Sequence, residues 1–290
     1  MTEDFVPGPQ GRLYLRQLGA GGGAPLLMLH GGPDWDHAYL LPAAERLARR
    51  RRVALMDLRG CGRSDPPADG AYGVEAAAGD VLAVLRHLGT PAHLLGFSFG
   101  GRVALAAARA EPRALASLVL ASTTPGGPLG WQDEPPERAA RRAAAPDLRA
   151  ALAAVAEPDA GFTRQLALDG LAMDVWDPAA LPRVAAIVAK GRFGGHWGAA
   201  LKAGRLVADP RDHRDWLRSA PMPRLVLHGA QDFRFPLADW QALADAPGLR
   251  IAALAQTGHL APLEQTEAWC DALDAFLAAT EAGLAAPAPI

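Results

Sequence analysis

Three residues far apart in the chain carry side chains that together could run acyl transfer: Ser98, Asp232 and His259. Ser98 lies in Gly96-Phe97-Ser98-Phe99-Gly100, where an apolar run (92 to 97) gives way to an alanine-rich helical stretch (99 to 111). A G-x-S-x-G sequence between a strand and a helix is a nucleophile elbow, a strained turn that lifts a hydroxyl above a sheet. Glycines on both sides let the backbone fold back where side chains would collide. A serine hydroxyl is a weak nucleophile near neutral pH and needs a base, which in turn needs an orienting acid. "LVLHGAQD" ends a late strand with Asp232, and "TGHLAPLE" puts His259 in the loop after the last strand. Taken singly, Ser98 could be a structural turn serine, Asp232 a helix cap and His259 a surface loop residue. Their joint placement at strand ends favours a triad. The strand ending at Ser122 carries Thr123 and Thr124 but no rival carboxylate.

These residues require a scaffold that brings distant strand ends to one edge. "GRLYLRQL" (11 to 18) alternates as a strand, and the glycine-rich turn after it predicts a hairpin into the run at 25 to 30. The runs at 25 to 30, 52 to 58, 92 to 97 and 116 to 122 lack alternation, as strands covered on both faces do. Helical stretches at about 36 to 50, 73 to 88 and 99 to 111 separate them, which implies parallel pairing through right-handed crossovers. Residues 125 to 220 instead read as proline-broken, alanine-rich helices with no buried strand. Strand patterning resumes at 223 to 232 and 248 to 254, before a helix at about 262 to 279. The expected division is an α/β core formed by 1–124 and 221–280, a helical cap at 125–220, and a flexible tail at 281–290.

Composition narrows the classes. Half of the 290 residues are hydrophobic, and 29 Lys plus Arg face 31 Asp plus Glu for a formal charge of −2, so no basic field would gather nucleic acid or anionic lipid. The run Arg49 to Arg52 reads as a helix C-terminus facing the dipole end and water. Cys61 and Cys270 show no CxxC spacing and read as free thiols of a reducing compartment. The acidic, proline-containing N-terminus lacks signal-peptide character, and no run is long enough to span a bilayer. The expectation is a cytoplasmic protein without membrane or nucleic-acid partners, with its oligomeric state left open. His30, Asp34, Asp36 and His37 cluster within eight residues but lack the spacing that aims two imidazoles at one ion, so no metal and no other cofactor is expected.

With these motifs in place the chain resembles the α/β-hydrolase superfamily over nearly its whole length. "LHGGPDWDH" and "GFSFGGRVAL" are most similar to the prolyl aminopeptidase (proline iminopeptidase) group and its esterase-like relatives. That group typically has glycine where this chain has Asp34, and tryptophan where it has Phe99. The resemblance implies an oxyanion hole from the backbone N–H groups of Gly32 and Phe99, with Gly31 the less suited neighbour. In "DLRGCGRS" it makes Asp57, Arg59 and Ser64 structural residues. Members of that group hold a substrate amine with cap glutamates; here the insert offers Glu134, Glu137 and Glu157, with no Trp-Glu pair. Asp169, Asp174 and Asp177 could substitute for those glutamates, but they read better as scattered acids on a solvated helix. Trp35, Phe97 and Trp176, with Trp131, Phe162, Phe193 and Trp197, are candidates for an apolar pocket wall. The implied activity is two-step cleavage of a small ester or short peptide. A carboxylesterase without aminopeptidase activity and a non-catalytic binding protein on the same fold stay open.

Overall fold

A computed structural model describes residues 1–89, 91–127, 135–207 and 211–283. Its centre is an eight-stranded sheet, made of β1 (Thr2–Pro7), β2 (Arg12–Leu18), β3 (Leu26–Leu29), β4 (Val53–Met56), β6 (Ala92–Phe97), β7 (Leu115–Ala121), β9 (Arg224–Gly229) and β10 (Leu249–Leu254). Their order is β1-β2-β4-β3-β6-β7-β9-β10. β1, β2 and β4 pair antiparallel in succession, and from β4 to β10 every pairing is parallel. This is the mostly parallel architecture that the alternation of strands and helices implies.

The expected hairpin between 11–18 and 25–30 does not form. β2 instead makes its hairpin with β1, a strand that the acidic first ten residues do not announce, through a turn in which Gly8 N–H donates to the Gly11 carbonyl. The glycine-rich loop after β2 then runs over the carbonyls of Ala48 and Arg51, where a Cβ on Gly19 would collide. The chain thereby crosses β4 to reach β3, and β4 takes the place beside β2.

The parallel strands lack alternation because both faces are covered. Leu27, Leu29, Leu94, Leu118 and Val226 pack with helices Val74–Leu88 and Phe99–Ala110. Leu26, Met28, Leu95, Val119 and Leu227 pack on the opposite side with helices Leu41–Leu47 and Thr266–Glu281. Helix Val74–Leu88 has Glu75 in its first turn, Arg86 and His87 in its last, and stops at Gly89 with φ 86°. These charges complement the helix dipole, and the glycine takes the backbone out of the helix. The final helix includes Glu281, the first residue of the expected tail, and 284–290 lie outside the described residues.

Between β7 and β9 the described residues add no strand to this sheet. They form helices that include Leu148–Ala154, Ala160–Asp169, Leu171–Asp174, Leu181–Val188 and His196–Lys202. Asp147 and Asp159 cap two of them through the N–H groups of Ala150 and Phe162, and Pro182 sits in the first turn of another. The insert is not free of strand: β8 (Leu206–Val207) pairs in parallel with β5 (Tyr72–Gly73). Two residues are too short to leave an apolar run. Among the described residues no helix is long and apolar enough to cross a membrane.

Candidate active site

Ser98 follows β6 with φ 52° and ψ −118°, a strained conformation for a residue with a side chain. Its neighbours hold it there: Ser98 N–H donates to the Ala121 carbonyl at 2.9 Å, and Ser98 O accepts from Gly101 N–H at 2.9 Å and Thr123 Oγ1 at 2.7 Å. The flanking glycines are required sterically. A Cβ on Gly96 would meet the Gly101 Cα at 2.6 Å, one on Gly100 would meet the Leu29 carbonyl at 2.8 Å, and one on Gly101 would meet the Thr123 side chain at 2.5 Å.

Asp232 and His259, from the loops after β9 and β10, converge on this hydroxyl. His259 Nε2 lies 3.0 Å from Ser98 Oγ, and His259 Nδ1 lies 2.8 Å from Asp232 Oδ2. An ionised carboxylate only accepts, so Nδ1 carries the proton and Nε2 is left to accept from the serine. Phe97 and Phe235 pack against the imidazole with ring centroids 5.3 and 5.6 Å away. The other Asp232 oxygen accepts from the N–H groups of Arg234 (2.7 Å) and Phe235 (3.1 Å). Burial opposes charge on both partners, yet their mutual attraction prevails: His259 is held above the ordinary imidazole pKa and Asp232 below the ordinary carboxylate value. A proton passed from Ser98 to His259 is therefore stabilised where it arrives.

Two backbone donors flank the serine. Phe99 opens helix Phe99–Ala110, so its N–H has no intrahelical acceptor. In the loop after β3, Gly31 N–H is spent on Tyr39 Oη at 2.6 Å, whereas Gly32 N–H makes no hydrogen bond among the described residues. A Cβ on Gly31 would strike the Ser98 Cβ at 2.6 Å, which fixes glycine there. From beneath, His30 takes the Leu58 N–H on Nε2 and donates from Nδ1 to the Gly31 carbonyl, both at 3.0 Å; burial pushes its pKa down and keeps it neutral.

Above these groups is a cavity of about 430 Å³ lined by Ser98, His259, Gly32 and Phe99 together with side chains of the insert. Trp35 and Phe97 line it as expected, as do Phe162 and Trp197. Trp176 does not: its ring packs edge-on to Phe233 at 5.8 Å. Phe193 stands behind Trp35 at 5.6 Å, while Trp131 and Glu134 lie outside the described residues. Glu137 pairs with Arg141, and Glu157 is exposed. Asp174 corrects its expected place on a solvated helix. It is buried, lines the cavity and takes a two-point ion pair from Arg234 (2.5 and 3.2 Å). Arg234 was marked by no motif, only by its position two residues past Asp232.

The remaining motif residues have structural partners. Asp57 bonds His37 at 2.7 Å and Arg63 N–H at 3.0 Å, Arg59 forks onto Asp80 at 2.7 and 2.8 Å, and Ser64 joins the Asp57 carbonyl to Tyr14 N–H. Arg51 does not face water; it is buried against Asp274 and Glu281. Cys61 and Cys270 are free and buried, and burial pushes the Cys270 thiol up to about 12. Among the described residues no cluster of His, Cys, Asp or Glu could hold a metal ion.

Comparison with known proteins agrees with this geometry. A proline iminopeptidase of Heyndrickxia coagulans is 32% identical over 136 residues, and the match spans about half of each chain, 46% of this one and 47% of the relative. Polyketide synthase ThaQ of Burkholderia thailandensis is 35% identical over 296 residues, which cover 99% of this chain and 13% of that much longer protein. An esterase structure from Thermogutta terrifontis superposes with a TM-score of 0.73 at 26% identity, covering 97% of this chain and all of that one. The family model for the alpha/beta hydrolase fold matches residues 24–266, and the chain belongs to that family.

Proposed function

We propose that the protein cleaves esters of small apolar acids through an acyl-enzyme on Ser98, with His259 as base and Asp232 as the acid that orients it. The relay of 2.8 and 3.0 Å hydrogen bonds at the wall of a mostly apolar cavity carries this reading. His259 takes the Ser98 proton as Oγ attacks the carbonyl carbon, and the N–H groups of Gly32 and Phe99 bind the oxyanion that forms. The protonated imidazole then gives its proton to the departing alkoxide. Water repeats the sequence and releases the acid. Residues 125–220 serve as the cap, and Trp35 and Phe97 form part of the wall that meets the acyl group.

Ester is favoured over an N-terminal proline amide by the charges in the wall. Among the described residues the lining acids are Asp34 and Asp174. Asp34 is spent on two backbone N–H groups and Asp174 on Arg234, which among the described residues leaves no lining carboxylate free for a substrate ammonium. A second acyl donor, a thioester, is favoured by the full-length likeness to a segment of a polyketide synthase, since the same acyl-enzyme serves either leaving group. The buried free thiols support the cytoplasm as the compartment.

The test compares p-nitrophenyl butyrate, an acyl N-acetylcysteamine thioester and proline p-nitroanilide, with Ser98→Ala as blank. Ester turnover that Ser98→Ala abolishes is expected, with little on the anilide. Equal turnover by both proteins refutes the triad, and failure of a fluorophosphonate to label Ser98 would leave a binding protein on the same fold.

A further inference from the structure

Resting on the hydrolase reading above, we propose that Asp34 is a positioning residue of the oxyanion site: it clamps the insert onto the Gly32 turn and thereby holds both backbone donors. Gly32 to Trp35 is a tight turn closed by the Trp35 N–H on the Gly32 carbonyl at 3.0 Å, with Asp34 in its third position at φ 69°. That position suits glycine. A residue with a side chain is strained in it, so the carboxylate must return something.

What it returns is a three-point attachment. Asp34 Oδ1 accepts from Trp197 N–H at 3.0 Å, Oδ2 accepts from Gly198 N–H at 2.7 Å, and its backbone carbonyl accepts from Gly194 N–H at 2.8 Å. Asp36, two residues on, takes the Arg192 N–H at 3.0 Å. The first turn of helix His196–Lys202 is thus seated on the loop that carries Gly32. Trp197 reaches the other donor: its ring packs edge-on to Phe99 at 5.2 Å and to Tyr72 at 5.1 Å, and its Nε1–H is fixed to the Arg59 carbonyl at 2.8 Å. The Asp34 side chain consequently restrains Gly32 through the turn and Phe99 through the tryptophan. Asp34 lines the cavity wall, but both of its oxygens are engaged, so its part is to position and not to react.

Asp34→Gly and Asp34→Asn separate this role from a merely structural one. Glycine relieves the turn and removes the two side-chain points of the clamp, whereas asparagine tolerates the backbone and keeps one acceptor oxygen. The readouts are kcat and KM for p-nitrophenyl butyrate and the inhibition constant of a butyryl trifluoromethyl ketone, whose serine adduct carries the oxyanion. For Asp34→Gly we expect kcat to fall about 10- to 100-fold, ketone inhibition to weaken by the same factor, and KM to stay within about twofold, because donors displaced from an oxyanion are felt in the transition state. Asp34→Asn should lose less on both measures. Wild-type kcat in Asp34→Gly, a rise in KM alone, or a loss of kcat with undiminished ketone inhibition would each overturn the proposal. Circular dichroism reports folding; should Asp34→Gly not fold, the paired loss of kcat and ketone inhibition in Asp34→Asn decides, and an unaffected pair overturns it. Wild-type turnover abolished by Ser98→Ala is the separate check on the hydrolase reading.

Discussion

Asp232→Asn puts the proposed relay to its strictest test, because the environment dictates how the amide must sit. One oxygen of Asp232 accepts from the backbone N–H groups of Arg234 and Phe235 at 2.7 and 3.1 Å, so an asparagine keeps its carbonyl oxygen on that side. Its NH₂ then faces His259 Nδ1, where the carboxylate accepted at 2.8 Å. Two donors cannot share that line. The imidazole moves its proton to Nε2 and presents a donor to Ser98, from which it can no longer take a proton. The same change removes the negative charge that offsets the burial of His259, so its pKa falls. A wrong tautomer of this kind costs a relay about 10⁴-fold in kcat, equivalent to about 5 kcal/mol of transition-state stabilisation. Ester hydrolysis measured across the neutral range, with circular dichroism to establish folding, gives the answer. A folded Asp232→Asn that keeps kcat within about tenfold of wild type would refute the tautomer argument and with it the role of Asp232.

Two further outcomes follow from the same contacts. His259 must be neutral to act as base, and its folded pKa lies above the ordinary 6.5, so kcat/KM should climb with pH through a midpoint above that value; a midpoint at or below it contradicts the Asp232 effect. Arg59→Met should lower stability by about 3–5 kcal/mol in urea unfolding, because it strands the buried Asp80 carboxylate. Burial already raises Asp80 above the ordinary carboxylate value, so its protonation favours the fold, and the deficit of Arg59→Met should shrink as pH falls through that raised pKa. A variant as stable as wild type, or a pH-independent deficit, would show that the pair is not what anchors Arg59.

How much of this was legible in the chain depends on the range over which each feature is determined. The elbow is written beside Ser98: Gly96 is dictated by the backbone of Gly100 and Gly101 within the same turn, while Gly100 and Gly101 make room for the β3 backbone and the Thr123 side chain. Parallel strands are nearly as plain, since β3 and β6 are buried on both faces and apolar throughout apart from His93, whose ring is paired with Ser117. β1 was not legible. It is an edge strand, exposed along most of its length, and nothing in its composition distinguishes it from a polar terminus. The wrong hairpin has the same origin, because which strand lies beside β2 is decided by the path of the loop over β4 and not by any residue of β2 itself.

Charged residues of the insert were the least legible, and Asp169, Asp174 and Asp177 show why. Asp169 and Asp174 each end a short helix and Asp177 precedes the next helical turn, and nothing adjacent tells them apart. Asp169 pairs four residues back with Gln165, and Asp177 caps its own turn at Ala179. Asp174 instead meets Arg234, sixty residues away and two past Asp232, while its carbonyl takes the Leu260 N–H next to His259. Glu264 adds to this junction, with one oxygen on Gly258 N–H and the other on Trp176 N–H. The insert is therefore bonded at 174–177 to the loop of the base and at 191–198 to the loop of the oxyanion donors. By contrast, helices Leu148–Ala154 and Ala160–Asp169 cover the cavity through apolar side chains such as Leu152, Phe162 and Leu166, and none of their hydrogen bonds among the described residues reaches the sheet or its flanking helices. Polar contacts hold fast the parts of the insert beside the proposed relay and oxyanion loop, and apolar contacts serve the parts that only line the cavity.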